Sequence, residues 1–148
     1  MVDDAPLRRQ VCFALYSASR AVTAYYRPVL EPLGVTYPQY LVLMVLWDQG
    51  QRSVKQLGAD LMLDSGTLSP LLKRLETAGL VTRRRDPADE RCVLIGLTPA
   101  GDDLRHAAAD VPTRVAAASG LTPRELAELR DTLTALTRAM SHPGDGPR

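Results

Sequence analysis

The sequence predicts a mainly α-helical fold with one small β-hairpin, a winged helix-turn-helix flanked by N- and C-terminal helices. Three observations carry this. Apolar residues recur at helical spacing over most of the chain, and the period turns to alternation only between Leu80 and Leu97. Helix starts are marked by three capping boxes, Thr36-x-x-Gln39, Ser53-x-x-Gln56 and Thr122-x-x-Glu125. Gly34 and Gly79 stand where helices would stop.

A first helix is expected from about Leu7 to Tyr26, ended by Pro28 and Pro32. A second runs from Tyr37 to Asp48 and carries the only tryptophan, and a third, Val54 to Leu61, is short. Asp64-Ser-Gly reads as a turn, and Thr67 to Ala78 as a fourth helix with Leu68, Leu71, Leu72 and Leu75 inward and Pro70 near its first turn. Leu80–Arg85 and Arg91–Leu97 read as strands joined by the turn-forming stretch 86–90. A helix follows from Ala100 to about Ala118, bent at Pro112. The last helix, Pro123 to Met140, spaces Leu126, Leu129, Leu133, Leu136 and Met140 as a seam. The tail, 141–148, is Gly/Pro-rich and expected to be disordered.

Length and composition fit one globular domain, with the winged helix-turn-helix at about 36–98 and dimerisation helices at about 7–30 and 99–140. No apolar run is long enough for a membrane span, and the N-terminus lacks a signal-peptide layout, so cytoplasm is the expected location. Two cysteines make no disulfide framework, and with His106 and His142 they match no zinc spacing; neither metal nor cofactor is expected. The net charge of +1 argues nothing for nucleic acid, so any basic footprint must be local.

Such a footprint exists. In a winged helix-turn-helix the fourth helix enters the major groove and the hairpin lies beside it. Ser65, Thr67 and Ser69 cluster at that helix's N-terminal end, with Lys73 and Arg74 one turn on. Arg83, Arg84, Arg85 and Arg91 flank the hairpin, where Arg91 is placed to probe a minor groove and Asp89 to orient its guanidinium. An αα-hairpin followed by a ribbon with a solvated arginine face would show the same pattern.

The segment Leu63-Asp-Ser-Gly-Thr-Leu-Ser-Pro-Leu-Leu-Lys-Arg-Leu-Glu, with Gly-Leu-Val-Thr-Arg-Arg-Arg, Asp-Glu-Arg91 and Leu-Thr-x-x-Gly101, resembles the MarR family of dimeric regulators. Cys12-Phe-Ala-Leu-Tyr-Ser-Ala-Ser-Arg20 and Leu33-Gly-Val-Thr-Tyr-Pro-Gln-Tyr-Leu41 resemble its organic-hydroperoxide-sensing branch, the OhrR repressors. The resemblance spans roughly Val11 to Gly101. It implies a homodimer on a pseudo-palindromic operator in double-stranded DNA, with Asp89 and Arg91 at the wing tip, and no enzymatic turnover.

Cys12 is the candidate sensor. It avoids the most apolar stripe of its helix (Val11, Leu15, Ala18, Val22) and rides the adjoining stripe with Tyr16, Ser19, Thr23 and Tyr26. Hydroxyl donors there would favour a thiolate. Tyr16 is one turn away, but Tyr26 is about 21 Å along the axis at roughly 1.5 Å per residue, so it can reach only a partner's Cys12. The resemblance implies that arrangement, with Tyr26 and Tyr37 of one subunit at Cys12 of the other. A thiolate attacking an organic hydroperoxide gives a sulfenic acid, which a low-molecular-weight thiol can cap. The branch's two-cysteine members draw their resolving thiol from C-terminal helices, where this chain has none. Cys92, at the base of the second strand, reads as a small core-facing residue. Two alternatives stand beside this reading: Cys12 as a peroxidase nucleophile, and a regulator released by a small aromatic ligand between first helix and wing, with Cys12 structural.

Overall fold

A computed structural model describes residues 6–141 of the chain; positions 1–5 and the tail beyond Ser141 lie outside the described residues. Ser141, expected in the disordered tail, is instead the last residue of the final helix. A short 3-10 turn, Pro6–Arg9, leads into α1, Val11–Leu30. The helix therefore runs past Pro28, its expected end. A proline in a final turn forfeits one backbone bond, and the buried Val29 and Leu30 beyond it offset that loss by packing. A second 3-10 turn, Glu31–Leu33, then closes on Gly34 at φ 71°.

The capping boxes form as the residues predict. Thr36 starts α2 (Tyr37–Gln49): its Oγ1 accepts from the Gln39 amide at 3.4 Å and its own amide donates to Gln39 Oε1 at 2.9 Å. Ser53 and Gln56 repeat the exchange for α3 (Val54–Leu61). The turn after α3 is tight, since a Cβ on Gly58 would stand 2.9 Å from the Leu63 carbonyl oxygen. Next, α4 runs Ser65–Thr77, two residues earlier than expected. Asp64 is its cap rather than part of a turn, its Oδ1 accepting from the Thr67 amide at 2.7 Å. Pro70 consequently sits in the second turn of α4 instead of the first.

The hairpin is longer than its sequence signal: β2 spans Val81–Asp86, β3 spans Asp89–Leu97, and only Pro87 and Ala88 turn between them. A third strand not expected from the sequence, β1, Arg52–Ser53, pairs antiparallel with β3 in the order β1-β3-β2. Two residues are too few for alternation to register. The helix expected over 100–118 is two, α5 (Pro99–Ala107) and α6 (Val111–Ala118). Pro112 does not bend a continuous helix; it is the second residue of a new one, where its missing amide hydrogen costs nothing.

The chain forms two compact units meeting after Ala109. In the first, Leu30, Val42, Leu43, Leu46, Leu57, Leu68, Leu72, Leu75 and Ile95 are fully buried, from α1, α2, α3, α4 and β3. Trp47 Nε1 donates to the Gly101 carbonyl at 2.9 Å and ties α2 to α5. Gly101 is required, because a Cβ there would overlap the Leu80 carbonyl. The second unit holds α6 and α7 (Pro123–Ser141), whose start carries the Thr122/Glu125 box. No residue of α7 is buried, and its seam residues Leu129, Leu136 and Met140 are exposed.

Candidate functional site

With Leu68, Leu71, Leu72 and Leu75 buried, α4 turns its other face outward. Ser65, Thr67, Ser69, Lys73 and Arg74 are all exposed there; the Thr67 hydroxyl is engaged with the Asp64 carboxylate, and no partner is seen among the described residues for the other four side chains. The Thr67 amide beside them holds the Asp64 carboxyl below its ordinary range, followed in effect by the Thr67 hydroxyl. The outward face of α4 thus presents hydroxyls, a lysine and an arginine on one exposed surface.

The wing carries a large irregularity. Arg85 pairs with Val93 and Asp86 with Asp89, so one step along β2 spans four along β3 and leaves Glu90, Arg91 and Cys92 bulged. Asp89 does not hold the Arg91 guanidinium, as the sequence suggested. Its Oδ1 accepts from the Arg91 backbone amide at 3.1 Å and its Oδ2 from the Cys92 thiol at 3.6 Å. Arg85 Nη1 donates to the Glu90 carbonyl at 3.1 Å. Arg84 Nη2 donates to Gln51 Oε1 at 3.1 Å, which ties the wing to the segment before β1. The Arg91 guanidinium has no partner among the described residues and is exposed.

Cys92 is not at the strand's base facing the core. It lies half-buried in the bulge near the tip. Burial, and then the Asp89 carboxylate beside it, push its thiol pKa up, which disfavours the reactive thiolate.

Cys12 is a free, exposed thiol on the first turn of α1. Tyr16 makes no hydrogen bond to it; the Arg20 guanidinium instead lies over the Tyr16 ring at 5.6 Å. Thr23 Oγ1 is also committed, to the Ser19 carbonyl at 2.9 Å. Of the hydroxyls on this stripe, that of Thr23 is therefore bonded within its own helix, while the Arg20 contact engages the Tyr16 ring and not its hydroxyl. Around them α1 leaves apolar surface open: Val11 is 69%, Tyr16 60% and Val22 44% exposed.

At the other end of α1, Tyr26 and Tyr37 do come together, stacked with ring centroids 4.3 Å apart. Tyr40, which sequence reasoning missed, joins them at 6.0 Å from Tyr26 and meets Trp47 edge-on at 6.1 Å. Its place three residues after Tyr37, on the same helix face, was the available signal. Burial, then the neighbouring Tyr37 and Tyr40 hydroxyls, push the Tyr26 pKa up to about 12, and burial raises Tyr37 and Tyr40 in the same direction. All three are neutral phenols at physiological pH, able to donate hydrogen bonds. A cleft of about 560 Å³ lies next to Tyr37, lined also by Thr23, Arg27, Val35 and Thr36.

Comparison with known proteins places this geometry. A family model described as the MarR family matches residues 35–93. The chain is 44% identical over 138 residues to the organic hydroperoxide resistance transcriptional regulator of Bacillus subtilis (strain 168), covering 93% of this chain and 94% of that one. Among solved structures it is similar to reduced AbfR bound to DNA, a Staphylococcus epidermidis protein, with TM-score 0.74 and 34% identity over 90% of this chain and 93% of the other. It is also similar to disulfide-formed AbfR, with TM-score 0.65 and 38% identity over 88% and 92%. An N-capped recognition-type helix, a bulged arginine wing and full-length similarity to transcriptional regulators agree: the chain belongs to the MarR family of DNA-binding transcriptional regulators, which are not enzymes.

Proposed function

We propose that this regulator is a homodimeric repressor that senses organic hydroperoxides through Cys12 and then releases a pseudo-palindromic operator. The observation that carries the reading is an exposed Cys12 on an uncovered apolar helix face, in a chain 44% identical to a hydroperoxide resistance regulator. The Cys12 thiolate attacks the peroxide, cleaving the O–O bond; one oxygen becomes the sulfenic acid and the other leaves as an alcohol after taking a proton. A low-molecular-weight thiol then condenses with the sulfenic acid, forming a mixed disulfide and water. Solved AbfR states named reduced and disulfide-formed support redox control in a similar fold.

Tyr16 makes no hydrogen bond to Cys12 within its own helix, and the further donors for Cys12 would be the Tyr26 and Tyr37 phenols of a second copy. Neutral at working pH, they would steady the thiolate and be forced aside by a bulky cap. The exposed stripes of α1 and α7 are the surfaces a homodimer would cover. On this reading Ser65, Thr67, Ser69, Lys73 and Arg74 meet the major groove and phosphates, while Arg91 reaches the minor groove with Arg84 and Asp89 supporting the wing. The site of action is the cytoplasm, where the DNA lies. No single helix among the described residues is long and apolar enough to cross a membrane.

The test is a gel shift on a duplex selected from a random pool by the reduced protein. Cumene hydroperoxide with cysteine present should release wild type, and Cys12→Ser should bind equally but stay bound. Release of the mutant would remove Cys12 from the mechanism. The cleft beside Tyr37 favours one second reading, release by a small aromatic ligand, although its lining lacks wing residues and so differs from the expected position. Release of Cys12→Ser by a phenolic compound would support that instead.

A further inference from the structure

The wing contains an exposed arginine that returns one of its donors to the protein's own backbone. Arg85 leaves β2 at the last regular pair before the bulge and returns its Nη1 to the Glu90 carbonyl, 3.1 Å away. Bulging strips Glu90, Arg91 and Cys92 of cross-strand partners, so their backbone groups need satisfaction from elsewhere. Two contacts provide it, both on the Glu90–Arg91 peptide, Arg85 on its carbonyl and Asp89 Oδ1 on its amide, while Asp89 Oδ2 holds the Cys92 side chain through its thiol. The result is a peptide held on both sides of Arg91, whose own guanidinium has no partner among the described residues.

We infer that Arg85 is a positioning residue for DNA reading: it clamps the bulge that aims Arg91, rather than contacting DNA itself. This rests on the reading of Arg91 as a groove contact. The physical ground is the difference between the two arginines. The Arg85 guanidinium is hydrogen-bonded to the chain, whereas Arg91 is held only by its backbone amide and its guanidinium has no partner among the described residues. An arginine that neutralises a phosphate contributes to binding of every sequence and to its salt dependence, whereas one that orients another side chain affects only what that side chain reads.

The test compares Arg85→Gln, Arg91→Ala and the double variant on the selected duplex and on a random duplex, across a salt series. Thermal melting confirms that each variant is folded. Arg85→Gln should weaken the selected duplex about tenfold, the scale of a lost hydrogen bond from a charged donor. It should leave the random duplex and the salt slope unchanged, and add nothing further once Arg91 is alanine. Two results would overturn the inference: a salt slope reduced by about 0.9 with both duplexes weakened alike, which marks a phosphate contact, or an Arg85→Gln effect that adds in full to Arg91→Ala. If Arg91→Ala itself binds both duplexes as wild type does, the groove-contact reading fails first, and that outcome is separable from failure of the clamp.

Discussion

The first half of α1 and the α2–α4 core are both rich in apolar residues, yet one chain satisfies only the second. Leu43, Leu46, Leu57, Leu68, Leu72 and Leu75 are at most 1% exposed, while Val11 on α1 is 69% exposed and Cys12 beside it is open. Buried apolar surface is stable as it stands; a large exposed stripe is a surface prepared for another protein. The wing shows the polar version of the same contrast, with the Arg84 and Arg85 guanidinium groups bonded internally and that of Arg91 without a partner among the described residues. The α2–α4 core buries its apolar side chains within one chain, and the first half of α1 does not.

The sharpest way to break this comparison is to truncate one side chain from each region. Leu72→Ala should lower unfolding free energy by about 3 kcal/mol, seen as a reduced urea midpoint. Val11→Ala should instead raise the dissociation constant for self-association in sedimentation while changing the folding of the α2–α4 core by less than about 0.5 kcal/mol. Equal loss of core stability in both would erase the distinction. Arg91→Ala comes next, with binding to a selected duplex weakened by about 2 kcal/mol in fluorescence anisotropy. Unaltered affinity would mean that the wing's open charge has no partner in DNA.

The smallest effect concerns the tyrosine cluster. Because folding raises the Tyr26 pKa from 10.0 to about 12, the folded state holds its proton more tightly than the unfolded state. That contribution is present in full below pH 10 and is lost as pH rises towards 12. Tyr26→Phe should therefore flatten the fall in the urea midpoint across this window relative to wild type. Parallel curves would show that the stacked ring does not couple to folding.

Local rules reach far in this chain. The hydroxyl–amide spacings at Thr36, Ser53 and Thr122 predict caps that form, because a cap involves only four consecutive residues. Leu68, Leu71, Leu72 and Leu75 predict their own burial by period alone. Local reasoning fails where the deciding contact is distant. Pro28 suggests a helix end that the burial of Val29 and Leu30 postpones. The strand Arg52–Ser53 exists only because β3 offers it an edge. Asp89 is drawn to the Arg91 backbone by a bulge that cross-strand register creates.

For this regulator the sequence by itself determined the helical frame, the hairpin's place and the residues on the outward face of α4, since these follow from chain-local geometry and side-chain period. It also singled out Cys12, Tyr26 and Tyr37. Only the tertiary structure decided which of them meet: Tyr26 stacks on Tyr37 and gathers Tyr40 across α1 and α2, while Cys12 stays exposed. Periodicity says which face a side chain takes; packing across elements says whether a partner is already there.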